Sequence, residues 1–200
     1  MKKKRFFQKW SIVSVFVLLV PLSFCWIGPV SAADTTSSVT ITGGTLHFEG
    51  VPAAANFAPV TLDGLENDIF TELTNFSVID ARGTGEGWSV QVKAENFKLN
   101  ATEETLPNGS LSLKKPDKMI QDYTGTANNV PEIKNFEWMA IDGTPETPMI
   151  TATTGNGLGK WTIDWGGTNE TFKLHLDPGV VKEGTYTSTI TWSLVAPVSL

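Results

Sequence analysis

The chain has 200 residues, with 15 basic and 21 acidic side chains and a single cysteine. The first 33 hold five of the basic residues, none of the acidic ones and the cysteine, Cys25, so the remaining 167 carry a net charge of −11. A body of that size makes one domain with a real core; without Cys it has no disulfide, thiol nucleophile or Cys-ligated zinc, and its acidity argues against nucleic acid and anionic membranes as partners.

Residues 1–33 read as a secretory signal peptide. Lys2, Lys3, Lys4 and Arg5 form a basic start, Trp10–Val20 an apolar run, and Val30-Ser-Ala-Ala33 a small-residue site for cleavage after Ala32 or Ala33. The run is short for a membrane span of about 20 residues. Phe24 before Cys25 is too large for a lipid-attachment site. Residues 34–38 are a short polar leader, and 39–200 are expected to form one β domain.

From Val39 onward, period-two alternation dominates. Trp88, Val90, Val92 and Ala94 share one face of a predicted strand, with Ser89, Gln91 and Lys93 on the other. The same pattern recurs at Trp161–Trp165, Phe172–Asp177 and Tyr186–Leu194. Weaker strands are expected at Val39–Ile41, Thr45–Phe48, Phe76–Ile79, Leu111–Leu113 and Ile133–Phe136. Asn67–Leu73 is the one stretch that suits a helical turn, and Asp117–Pro148, poor in pattern, reads as a long excursion between strands. Gly and Pro punctuate the gaps. Short strands with turns and no intervening helices predict an antiparallel β-sandwich, Ig-like or jelly-roll-like.

Catalytic groups are sparse. His47 and His175 both occupy polar strand positions, where a solvated imidazole is the ordinary outcome. Glu103 and Glu104 are adjacent, so on a strand they face opposite ways and cannot form the paired site of a glycosidase. The runs Gly83–Gly87 and Gly155–Gly159 lead into Trp strands instead of helices, so they read as tight turns, not phosphate loops. Leu106-Pro-Asn-Gly-Ser110 looks like a wall-sorting signal, but about half the domain follows it, so a turn is expected. No catalytic residue, metal site or cofactor is assigned, and an enzyme is not expected.

Two Trp motifs remain. Trp88 opens W-S-V-Q-V, and Trp192 lies in Y-T-S-T-I-T-W-S-L-V-A-P. Val78-Ile-Asp-Ala-Arg-Gly83 precedes the first, and G-N-G-L-G-K-W runs from Gly155 to Trp161. Together these resemble the WxL surface domain of Gram-positive bacteria, with Val90 where the family often has Leu. The resemblance covers about 39–197 and makes Trp88, Val90, Tyr186, Trp192, Leu194 and Pro197 the binding-motif positions. It implies a secreted protein retained non-covalently at the cell wall. Its implied partners are peptidoglycan or another wall polymer, other WxL proteins and a membrane-anchored protein. A protein-interaction subunit without direct glycan binding is the alternative. The bland reading of a Trp on an alternating apolar face is core, and it applies to Trp88, Trp161, Trp165 and Trp192. Trp138, in the poorly patterned stretch, is the expected exposed aromatic.

Overall fold

The computed structural model describes residues 35–123 and 130–197; the predicted signal segment and Cys25 lie outside the described residues. Contacts group Thr40–Leu200 into one compact unit. The described residues of this unit are all-β. In chain order the strands are β1 (Leu46–Glu49), β2 (Asn67–Thr71), β3 (Phe76–Asp80), β4 (Trp88–Ala94), β5 (Lys98–Leu99), β6 (Leu111–Lys114) and β7 (Lys118–Gln121). Next come β8 (Glu132–Ile133), β9 (Trp138–Ala140), β10 (Thr147–Ala152), β11 (Gly159–Asp164), β12 (Phe172–Leu176), β13 (Tyr186–Thr187) and β14 (Ile190–Val195).

They pair antiparallel in sheets of order β1-β3-β11-β7, β14-β4-β10-β8 and β2-β12-β6-β9, with β13-β5 as a short ribbon. The three larger sheets share one sandwich-like core. Phe76, Val78, Trp161 and Ile163 come from the first, Trp88, Val90, Val92 and Ile150 from the second, and Leu111, Leu113, Phe172 and Leu174 from the third. Alternation is the cause: in β4 the inward residues are buried and Lys93 is exposed. Burying a side chain of this size contributes roughly 1.5–3 kcal/mol, which offsets the entropy of ordering the strands.

Four expectations are corrected. Asn67–Leu73 is not a helical turn: Asn67–Thr71 is a strand, registered so that Ile69 faces Leu174 of β12. Tertiary pairing outweighs the weak local preference. Val39–Ile41 is not a strand; Val39 is 83% and Ile41 86% exposed. Sheet contact begins only at Gly44, whose N–H donates to the Ala81 carbonyl. The strand expected over Ile133–Phe136 is Glu132–Ile133 alone. Finally, Asp117–Pro148 is no excursion. It carries β7, β8, β9 and the start of β10, and the first three are edge strands. They are short and bury little, so their alternation is faint.

Candidate functional site

The two Trp motifs lie side by side. β14 pairs with β4 along its whole length, with Trp192 opposite Val92 and Leu194 opposite Val90. All four therefore share the inward face. The long strand expected over Tyr186–Leu194 is interrupted after Thr187, so Tyr186–Thr187 pair with β5 and Ile190–Val195 with β4. Across the break, Glu95 N–H donates to the Thr189 carbonyl, and the Ser188 hydroxyl donates to the Glu95 carbonyl.

The proximal motif is a buried clamp. Trp88 is 1% exposed, and its indole N–H donates to the Gly157 carbonyl at 3.0 Å. The two Gly-rich runs are turns, as expected: Gly83, Gly85, Gly87, Gly155, Gly157 and Gly159 all have positive φ. They touch, because Gly155 N–H donates to the Gly85 carbonyl. A Cβ at Gly157 would sit 2.7 Å from the Trp88 indole nitrogen, so only glycine fits there. Beside this clamp, Arg82 grips the buried Asp80 with two parallel hydrogen bonds of 2.9 Å and the Gly87 carbonyl with a third of 2.7 Å. Asp80 holds the guanidinium in its charged form more firmly than usual, against the opposing effect of burial. With both carboxylate oxygens engaged by Arg82, Asp80 is poorly placed to serve as a catalytic acid.

The distal motif is half-buried. Trp192 packs edge-on against Phe76, centroids 5.0 Å apart, and against Trp165 at 6.4 Å. These contacts join the β14–β4 sheet to the β3–β11 sheet. The Tyr186 hydroxyl accepts the Lys182 N–H at 3.0 Å, tying the loop back onto the strand. Leu194 is half-buried and Pro197 exposed. Val90 is fully buried. Trp161 and Trp165 are also buried. Trp138 is half-buried on β9, with the Phe70 ring 5.9 Å away and the Lys173 ammonium 5.2 Å over its own ring. One face of its indole is thus covered by a cation.

Two grooves adjoin the motif strands. The smaller, about 480 Å³, is polar and lies where β4 and β13 run out, between Glu95, Asn96, Lys98, Thr105, Asn108 and Thr187–Thr189. The larger, about 920 Å³, is mostly apolar and runs between Ala55–Leu62 and Val181–Thr187, with Phe97 and Leu174 at its floor and Tyr186 on its wall. Neither was visible in the sequence: the smaller depends on the loop before β6 meeting the β13–β14 link, and the larger on the loop before β2 meeting the segment before β13. The break after Thr187 is their only local sign.

His175, His47, Glu103 and Glu104 each contact a neighbouring side chain. His175 meets Asp68 at 2.8 Å, and His47 is exposed beside the Thr45 hydroxyl. Glu103 pairs with Lys98 and Glu104 with Lys182. Pro107–Gly109 is the expected turn, closed by Ser110 N–H to the Pro107 carbonyl. Asp142 is wholly buried, accepts the Gly109 N–H at 3.0 Å and leaves Oδ2 without a partner; burial pushes its carboxyl above the ordinary range. Among the described residues no three His, Cys, Asp or Glu side chains converge as metal ligands, and no helix is long and apolar enough to cross a membrane.

The domain is all-β, with two tryptophan motifs on neighbouring strands and a glycine clamp around the first. Residues 63–197 match the family described as WxL domain surface cell wall-binding. The chain belongs to this family, and its domain is a cell-surface, cell-wall-binding one. No curated protein and no solved structure matches the chain.

Proposed function

We propose that the protein is secreted and held on the cell by direct, non-covalent contact with peptidoglycan, inside a complex with other WxL proteins and a membrane-anchored partner. The observation that carries the direct contact is the polar groove at the ends of the motif strands. It borders Thr187–Thr189 of the distal motif and the Glu95–Lys98 extension of the proximal one. Trp88 and Val90 are too buried to touch a polymer, so the proximal motif acts by building the sheet whose far end carries the groove. Charge also bears on the ligand. A body of net −11 is not drawn to anionic wall polymers by long-range fields, which are screened beyond about 8 Å at physiological salt. Retention then rests on short-range hydrogen bonds and apolar contact.

A second reading makes the protein an interaction subunit that docks on a membrane-anchored partner. The apolar groove beside Tyr186 favours it, because a cleft floored by Phe97 and Leu174 and edged by Val60 and Leu62 suits a protein segment better than a sugar. Co-sedimentation separates the two. Purified, folded protein is mixed with peptidoglycan freed of protein, with and without teichoic acid. Saturable pelleting is expected, and folded protein that stays wholly in the supernatant transfers retention to the partner.

A further inference from the structure

We infer that the polar groove is a subsite for the uncharged glycan strand of the wall, a polymer of hydroxyls and N-acyl amides, and that Asn108, Thr105 and Thr189 are its contacting residues. The inference rests on the direct-binding reading above and names the chemistry of that same site.

The argument is one of matching groups. The groove wall carries two amides, Asn96 and Asn108, and hydroxyls from Thr105, Thr187, Ser188 and Thr189. Some of these are committed. The Asn96 amide donates to the Leu106 carbonyl and to Asn108 Oδ1 at 2.8 Å. The Thr187 hydroxyl donates to Asn100, and the Ser188 hydroxyl to the Glu95 carbonyl. Three are not. The Asn108 amide nitrogen and the Thr105 and Thr189 hydroxyls make no hydrogen bond within the described residues. They offer two hydroxyls that can donate or accept and one amide that donates twice, the complement of a sugar hydroxyl and an N-acyl carbonyl. The committed groups hold the free ones in place: Asn96 fixes the Asn108 carboxamide, and Gly143, whose missing Cβ would overlap it, backs its other side.

Charge selects against the other wall chemistries. Glu95 and Lys98 are the charged lining residues, and Lys98 is already paired with Glu103. The groove thus offers no unpaired cation to a polyphosphate, and its acid disfavours acidic stem peptides. It holds no aromatic ring, so a single subsite binds weakly and retention gains from several copies acting together.

The test uses purified protein from the full-length sequence and three separate probes: glycan strands stripped of stem peptide by an amidase, free stem peptides, and teichoic acid. Titration calorimetry should show binding to the glycan strands alone. Thr189→Val, nearly isosteric and exposed, and the double change Asn108→Ala with Thr189→Val should weaken it about tenfold or more, the loss expected for one to two hydrogen bonds. Thermal unfolding of Thr189→Val should match the parent, and that of the double variant should fall only by the loss of the Asn96–Asn108 hydrogen bond. Equal glycan affinity in either folded variant, or competition by stem peptide or teichoic acid, overturns the groove assignment and leaves wall binding standing. If the parent binds no protein-free wall at all, the groove assignment and the direct-binding reading fall together.

Discussion

Trp88 and Trp192 lie on paired strands and face the same core, yet they live differently. Trp88 is sealed, with its N–H satisfied by Gly157 and its ring enclosed by a turn that tolerates no Cβ. Trp192 is half-buried and packs against the rings of Phe76 and Trp165. The first belongs to the scaffold at the glycine-loop end. The second sits on the strand that leads from the polar groove. The tryptophans of the two motifs therefore differ in how deeply they are buried, and a motif is not in itself a site.

Substitutions can break this contrast. The largest effects belong to the clamp. Trp88→Ala should cost about 3–5 kcal/mol, a large share of a total stability of about 5–15 kcal/mol, as read from denaturant melts. Arg82→Ala should cost a similar amount, about 3–5 kcal/mol, by stranding the buried Asp80 charge; Arg82→Lys restores charge but not the fork and should recover only part of it. Gly157→Ala forces a side chain into a positive φ and against the Trp88 ring, at about 1–3 kcal/mol. Trp192→Ala should cost less than Trp88→Ala in the same melts, about 1–3 kcal/mol for a half-buried ring, and should leave a folded protein. That protein is the useful one: loss of retention on whole cells would be a surface effect, whereas wild-type retention would limit Trp192 to packing.

A smaller effect sharpens the contrast through pH. The Gly166 N–H, Asn75 and Lys118 hold the Asp164 carboxyl below its ordinary value despite burial. Its stabilising share is therefore present above about pH 4 and lost as pH falls through the depressed folded value. Asp142 runs the other way. Burial raises it, so its share is present below about pH 4 and lost as pH rises through the elevated folded value. Asp164→Asn should reduce stability at pH 7 and match the parent near pH 2; a gap that persists in acid would place its role in packing.

Much of the fold was legible. The faces of β4, β11 and β12 follow directly from alternation at Trp88–Ala94, Trp161–Trp165 and Phe172–Asp177, because the inner face of those strands is sealed and the outer one is not. The two glycine runs announced their turns, since positive φ selects glycine. What failed lay at the edges. β7, β8 and β9 are short and bury little, so their pattern is faint, and Asn67–Thr71 became a strand only because β12 offered it a partner. The binding-motif residues were readable as a family likeness, but their burial was not. The free groups of Asn108 and Thr189 carried no signal at all, because they converge through loops about eighty residues apart.

The pairing of β14 with β4 also sets a schedule. Ile190–Val195 must find Ser89–Ala94 about a hundred positions earlier, so the Trp192 strand is the last of the described strands to be laid down. Until it arrives, Val90 and Val92 lack a neighbour on that side and Phe76 lacks the Trp192 ring. Closure of so long a loop is slow, on the millisecond-to-second scale of proteins dominated by distant contacts. Every other described strand precedes Ile190–Val195 in the chain, so the β14–β4 ladder is the last described pairing whose residues have all been synthesised.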